Sequence, residues 1–93
     1  MTQHSLTTLS NITATRLTPN GIHSGMDITL QNVNADGYIY IGSSSVSSTN
    51  YGFRIMPNHS ISFELMGNNS LYAVSSVNSM KLAVIQIGLE VGS

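Results

Sequence analysis

The chain has 93 residues and a net charge of −1, with three basic and four acidic side chains. An average soluble domain is roughly 25% charged, whereas this chain stands at 8% and is about one-third Ser, Thr and Asn. So few basic residues exclude a nucleic-acid partner and a polybasic membrane contact, and the absence of cysteine excludes disulfides and thiolate metal sites.

The first twenty residues are predicted to form an arm and a first strand, separate from the main domain. Leu6 and Leu9 follow neither the helical nor the strand period, so we expect residues 1–10 to be a flexible arm that orders only against a partner. The threonines of residues 11–18 disfavour a helix, and this segment is predicted as a strand.

Strand periodicity becomes clear in the segment 25–33, where apolar and polar residues alternate. Asp36 and Gly37 follow, and an Asp-Gly pair accepts the positive φ angles that tight hairpins require. Residues 38–42 are β-branched or aromatic up to a final glycine. The sequence therefore predicts an antiparallel hairpin between 25–33 and 38–42.

The rest of the chain predicts short strands separated by turns. Leu82 and Val84 give the last strand a second apolar face, which is typical of a strand that lies centrally or is covered by a neighbour. The predicted elements are a polar loop at 43–50 with Val46 pointing inward, strands at 51–56, 60–65, 71–74 and 81–90, and turns at 19–21, 57–58, 66–69 and 77–79.

About six to eight short strands and no helix predict an all-β fold. We expect a small antiparallel β-sandwich or jelly-roll-like domain over residues 21–93, preceded by the N-terminal arm over 1–20. Lys81 and Pro57 are the side chains available to protect sheet edges. A chain this short buries only about 60–65% of its unfolded surface. We therefore expect a homo-oligomer.

No pattern of residues predicts catalysis, a metal site or a cofactor. Asp27 and Glu64 occupy polar faces of predicted strands, which explains them without a catalytic pair. His23 and Ser24 adjoin Asp27 but lack the Gly-x-Ser-x-Gly elbow, and strand neighbours point to opposite faces. A metal site at His23 or His59 would require symmetry to bring three copies together. We expect no enzyme activity.

Aromatic residues and one pair of charges are the candidate contact residues. Tyr38 and Tyr40 share a strand face and are either packing residues or a sugar-stacking platform. Arg54 and Glu64 flank a predicted turn and would pair across a hairpin, or would select orientation at a subunit contact. The expected interface residues are Leu6, Leu9, Tyr38, Tyr40, Tyr51, Phe53, Arg54 and Glu64.

Several segments resemble the small all-β virion proteins of tailed bacteriophages. They are HSGMDITLQNV at 23–33, GYIYIG at 37–42, YGFR at 51–54, SFEL at 62–65 and LYAVS at 71–75. The resemblance covers about residues 23–90 and implies a cement or decoration protein of the capsid, a homo-oligomer with a trimer favoured and with the major capsid protein as partner. It also implies synthesis in the bacterial cytoplasm and a final place in the virion. A head–tail connector, a fibre-attachment subunit and a carbohydrate-binding module are the alternatives.

Overall fold

A computed structural model of the chain describes residues 2–18, 26–65 and 70–88. This part contains β-strands and no helix, and the strands form two antiparallel sheets. Sheet I has the order β1-β8-β3-β6, and sheet II has the order β2-β7-β4-β5. The all-β prediction is confirmed. The strands are β1 (Thr2–Leu9), β2 (Thr15–Arg16), β3 (Met26–Asn32), β4 (Ile39–Gly42), β5 (Phe53–Ile55), β6 (Ser60–Leu65), β7 (Tyr72–Ser75) and β8 (Met80–Gly88).

The two sheets share one hydrophobic core. Alternate residues of each strand point to opposite faces, and the inward side chains of both sheets pack together. Ile28, Leu30 and Leu82 of sheet I meet Ile39 and Ile55 of sheet II. Burying each such side chain contributes about 1.5–3 kcal/mol, so these contacts fix the two sheets face to face.

The last predicted strand lies centrally, as its two apolar faces indicated. β8 lies between β1 and β3, with Leu82 and Val84 buried in the core. Ile85 and Ile87, on its other face, are exposed. Packing against sheet II therefore explains the apolar residues on one face of β8, whereas the apolar residues on its other face are exposed to solvent.

The prediction of an N-terminal arm is wrong for residues 2–9, which form β1. All eight of them pair antiparallel with β8, and Leu9, only 1% exposed, belongs to the core. The backbone N–H of Ser79 also donates to the carbonyl oxygen of Leu9 at 2.9 Å. Ser and Thr fill many positions of β1, so its hydrophobic pattern is weak although its backbone pairing is complete. The strand predicted at 11–18 is limited to the two residues of β2.

The predicted hairpin of 25–33 with 38–42 is also wrong. β3 pairs with β6 and β8 in sheet I, whereas β4 pairs with β5 and β7 in sheet II. β3 and β4 each have one apolar face. Because the two strands lie in opposite sheets, the apolar face of each points into the shared core. The Asp36-Gly37 segment therefore crosses from one sheet to the other.

Asn32 holds this crossing in place from a fully buried position at the end of β3. Its Nδ2 donates to the carbonyl oxygens of Gly37 and Ile55, each at 3.1 Å. Its Oδ1 accepts from the backbone N–H and the side-chain amide of Asn34, at 3.1 and 2.7 Å. Gly37 has φ +89°, and a Cβ there would lie 2.9 Å from the Met80 sulfur. The crossing thus needs both an amide and a glycine.

Some predicted features lie outside the described residues. They are the turns at 19–21 and 66–69, the pair His23 and Ser24, and the end of the last predicted strand at 89–90. Within the described part, no helix is long and apolar enough to cross a membrane.

Candidate interaction faces

The outer face of sheet I carries an exposed apolar stripe. Cross-strand partners lie on the same face of a sheet, and the register of β1 with β8 places Leu6 opposite Ala83. Ile85 and Ile87 follow on the same face by alternation. Leu6 is 61% exposed, and both isoleucines are exposed. A groove of about 370 Å³ lies over the stripe, and its lining includes His4, Leu6, Thr29, Gln31, Ala83 and Ile85.

Two acidic side chains lie directly opposite each other beside this stripe. Asp27 of β3 is the cross-strand partner of Glu64 of β6, and both are exposed. Like charges directly opposite each other destabilise a sheet. In β8 the partner of Asp27 is Ile87, and Lys81 lies six positions away, roughly 20 Å along the strand. We call this surface, formed by Asp27, Glu64 and the apolar stripe, the acidic face.

The outer face of sheet II collects the tyrosines. Tyr40 lies opposite Arg54 of β5 and Val74 of β7. Tyr72 lies opposite Arg16 of β2. Alternation adds Tyr38 to the same face, and Tyr51 joins it by stacking on Tyr40. This surface holds all four tyrosines and both arginines of the chain, and we call it the tyrosine face: Arg16, Tyr38, Tyr40, Tyr51, Arg54 and Tyr72.

Tyr40 is covered by its neighbours on the tyrosine face. Its ring lies 4.7 Å from that of Tyr51, measured between centroids, and it is 9% exposed against 43% for Tyr51. Val46 is buried, as predicted, and packs in the same cluster on the outer side of sheet II. Gly42 leaves room for it, since a Cβ there would lie 3.2 Å from a Val46 methyl group. A sugar-stacking platform that needs Tyr38 and Tyr40 both exposed is therefore not formed.

Both arginines of the tyrosine face lie over tyrosine rings. The guanidinium carbon of Arg54 is 4.8 Å from the centroid of Tyr38, and that of Arg16 is 5.7 Å from the centroid of Tyr72. Arg16 also donates to the Tyr72 hydroxyl at 3.0 Å and to the carbonyl oxygen of Thr18 at 3.1 Å. A cation over a tyrosine ring contributes about 0.5–1 kcal/mol at an exposed site. These contacts position the positive charges on the sheet face.

The predicted pairing of Arg54 with Glu64 across a hairpin is wrong. Arg54 lies in β5 of sheet II, and Glu64 lies in β6 of sheet I. Their cross-strand partners place them on the outer faces of the two sheets, which point away from each other. Within one chain these charges do not meet, and the outer face of sheet I keeps a net negative charge although Lys81 also lies on it.

The other predicted contact residues divide into exposed and buried ones. Leu6, Tyr51 and Phe53 are exposed, and Phe53 packs edge-to-face against Phe63 with 6.4 Å between ring centroids. Leu9 is a core residue, so its prediction as a contact residue is wrong. Sequence reasoning missed the faces themselves: Asp27 beside Glu64 becomes visible only when the register of β3 with β6 is known.

The described geometry offers contact surfaces of opposite charge. Among residues 2–18, 26–65 and 70–88, no group of three or more His, Asp or Glu side chains could hold a metal ion. Comparison of the chain with known protein families, with curated proteins and with solved structures gives no match. The fold and the two faces are therefore the features from which a function can be inferred.

Proposed function

We propose that the chain is a virion structural protein: a capsid cement or decoration protein that stabilises the lattice of the major capsid protein. In this proposal it is a β-sandwich of jelly-roll type that acts as a homo-oligomer, with a trimer favoured. Its place of action is the virion, after synthesis in the bacterial cytoplasm.

The pattern of strand pairing is the observation that carries this proposal. β1 pairs with β8, β2 with β7, β3 with β6 and β4 with β5. A long antiparallel hairpin that rolls up produces such pairs, and the pairs β3–β8 and β4–β7 join the rolled layers. Eight-stranded jelly rolls occur in viral capsid proteins and in lectins. A fold alone does not assign a function. The properties of the surface are therefore needed to favour a capsid protein over a lectin.

The surface favours assembly with other proteins. The chain carries little charge, so neighbouring molecules repel one another weakly. The exposed stripe of Leu6, Ile85 and Ile87 is contiguous across two paired strands. Contiguous exposed apolar side chains mark interaction sites more often than scattered ones do. A decoration protein needs contacts of this kind and needs no reaction.

The mechanism of stabilisation is mass action. A protein that binds the assembled lattice and not the separated subunits stabilises the lattice by RT ln(1 + [L]/Kd), which is about 2.7 kcal/mol at a hundredfold excess over Kd. Contacts repeated by symmetry multiply this effect, because each bound copy raises the effective concentration for the next contact.

Binding to capsids tests the proposal. Capsids assembled from the major capsid protein encoded in the same genome are mixed with the purified chain at about 10 μM and sedimented. We expect saturable co-sedimentation and a higher melting temperature of the capsid, because the bound state is stabilised. An unrelated β protein of similar size is the control. If the chain stays in the supernatant and the capsid melts unchanged, the proposal fails.

A carbohydrate-binding module is the second candidate, because jelly rolls also occur in lectins. The exposed rings of Tyr38 and Tyr51 are the surfaces available for stacking on a sugar. A glycan array decides this candidate: binding that disappears in Tyr51→Ala supports it, and an array without signal removes it.

A further inference from the structure

We propose that neighbouring copies of the chain contact each other with unlike surfaces: the acidic face of one copy docks on the tyrosine face of the next. The inference rests on the proposed function for its setting, the capsid surface, and it names the surfaces through which copies associate there. The contact itself is a property of the chain and is testable without capsids.

The distribution of charge favours the tyrosine face of a second copy as the surface that docks on the acidic face. Two acidic faces brought together with their carboxylates in contact would oppose Asp27 and Glu64 of both copies, while Lys81, on the same face but about 20 Å away, donates to Thr8 of its own chain. Two tyrosine faces would oppose their arginines. Like charges across an interface suppress the wrong pairing. The unlike pairing instead brings Arg54 of one copy to the carboxylates of the other. The two charges that cannot meet within one chain meet between two.

The acidic pair supplies a second argument. Asp27 and Glu64 lie directly opposite in the register, an arrangement that is unfavourable in an isolated sheet. An arginine from a second copy would neutralise this repulsion. The planar guanidinium group also matches carboxylates in a two-point hydrogen-bonded geometry. The repulsion between Asp27 and Glu64 that destabilises the single chain is thus offset when two copies dock.

Shape and composition agree with the pairing. The acidic face has the groove over its apolar stripe and a further groove of about 460 Å³ lined in part by Asp27, Glu64 and Ile87. The tyrosine face presents the exposed rings of Tyr38 and Tyr51. Tyrosine and arginine are enriched in protein interfaces and at their energetic centres. Docking of such side chains in the grooves would bury the exposed apolar residues that line them, Leu6 and Ile85 in the first groove and Ile87 in the second.

The size of the face predicts a weak single contact. Seven paired residues along β3 and β8 at about 3.3 Å each, across four strands about 4.8 Å apart, give roughly 400 Å². A stable interface uses about 800 Å² on each partner. Each copy, however, uses both faces, and a capsid lattice raises the effective concentration of neighbours. Contacts between unlike surfaces close into rings, including trimers, when the rotation permits, and otherwise continue as columns.

Charge reversal tests the contact. Glu64→Arg and Arg54→Glu are each expected to weaken self-association about tenfold, as measured by sedimentation up to about 1 mM at low salt. An equimolar mixture of the two variants restores association, because every contact in an alternating column, and two of the three contacts in a mixed trimer, then join opposite charges. The double variant Glu64→Arg, Arg54→Glu restores it in a single protein. Asp36→Arg, the same change of charge at an exposed position outside both faces, is the control and leaves association unchanged.

Several results would overturn the inference. They are a wild-type chain that remains monomeric at 1 mM, a mixture that is no stronger than its components, or an Arg54→Glu variant that associates normally. Melting curves establish that each variant is folded. If a charge reversal unfolds the chain, the neutral changes Glu64→Gln and Arg54→Gln replace it. Each is expected to weaken self-association, and a mixture of the two is not expected to restore it.

Capsid binding measured on the same samples separates the two proposals. If the mixture of variants regains self-association but the wild type does not bind capsids, the decoration function is contradicted and the contact between copies is supported. If the wild type binds capsids but the mixture does not regain self-association, the contact is contradicted and the decoration function is supported.

Discussion

Replacement of Asn32 tests the account of the fold most sharply. The side chain is fully buried and makes four hydrogen bonds that join β3, the crossing segment and β5. In Asn32→Ala the carbonyl oxygen of Ile55 is left buried without this donor, at a cost of about 1–3 kcal/mol. The part-buried bonds to Gly37 and Asn34 add about 0.5–1.5 kcal/mol each.

Three part-buried bonds are lost with the buried one, so the sum is at least about 2.5 kcal/mol, a large share of the 5–15 kcal/mol that is typical of the free energy of unfolding. For a chain of this size each kcal/mol lowers the melting temperature by about 4–8 °C, so the expected loss is at least roughly 10–20 °C. Thermal and urea unfolding followed by circular dichroism measure it. Asn78→Ala, at an exposed position, is the matched control and should stay within about 0.5 kcal/mol.

Asn32→Asp separates hydrogen bonding from side-chain volume. The introduced carboxylate has the same shape but cannot donate to the two carbonyl oxygens, and burial raises its pKa above the ordinary value. The variant is therefore closest to the wild type at acidic pH and loses stability as the pH rises through that raised pKa. An Asn32→Ala variant within 1 kcal/mol of the wild type, or an Asn32→Asp variant with no dependence on pH, would refute the reasoning.

Two further pairs of substitutions test local features of the fold by thermal melting. Leu9→Ala should cost about 2–5 kcal/mol because it leaves a core cavity, whereas Leu6→Ala should stay within about 0.5 kcal/mol; equal effects would contradict the assignment of residues 2–9 to β1. Gly37→Ala should cost at least about 1–2 kcal/mol, from its left-handed backbone and the contact with Met80. Gly52→Ala meets only an ordinary contact at 3.5 Å and should cost less, and the reverse order would refute the crossing geometry.

Features encoded in one stretch of the sequence were predictable. The apolar pattern of β8 on both faces indicated a central strand, and the burial of Val46 followed from its polar surroundings. Local periodicity also gave the all-β class, because alternation is a property of each strand by itself.

Features that depend on strands far apart in the sequence were not predictable from local pattern. Asp27 and Glu64 become neighbours only through the register of β3 with β6. Asp36-Gly37 has the composition of a hairpin turn, yet the buried side chain of Asn32 directs the chain to the other sheet. β1 has a weak hydrophobic pattern, and its pairing with β8 is determined by backbone hydrogen bonds that no local period reveals.

The number of copies per virion is the most direct test of the central claim. The proposed function requires that the genome encoding this chain produces virions; these are purified, and the ratio of the chain to the major capsid protein is measured by quantitative mass spectrometry. A decoration protein bound across the lattice is expected in numbers comparable to the capsid subunits. A ratio of only a few copies per hundred capsid subunits would indicate a connector or fibre component, and absence from purified virions would contradict the account.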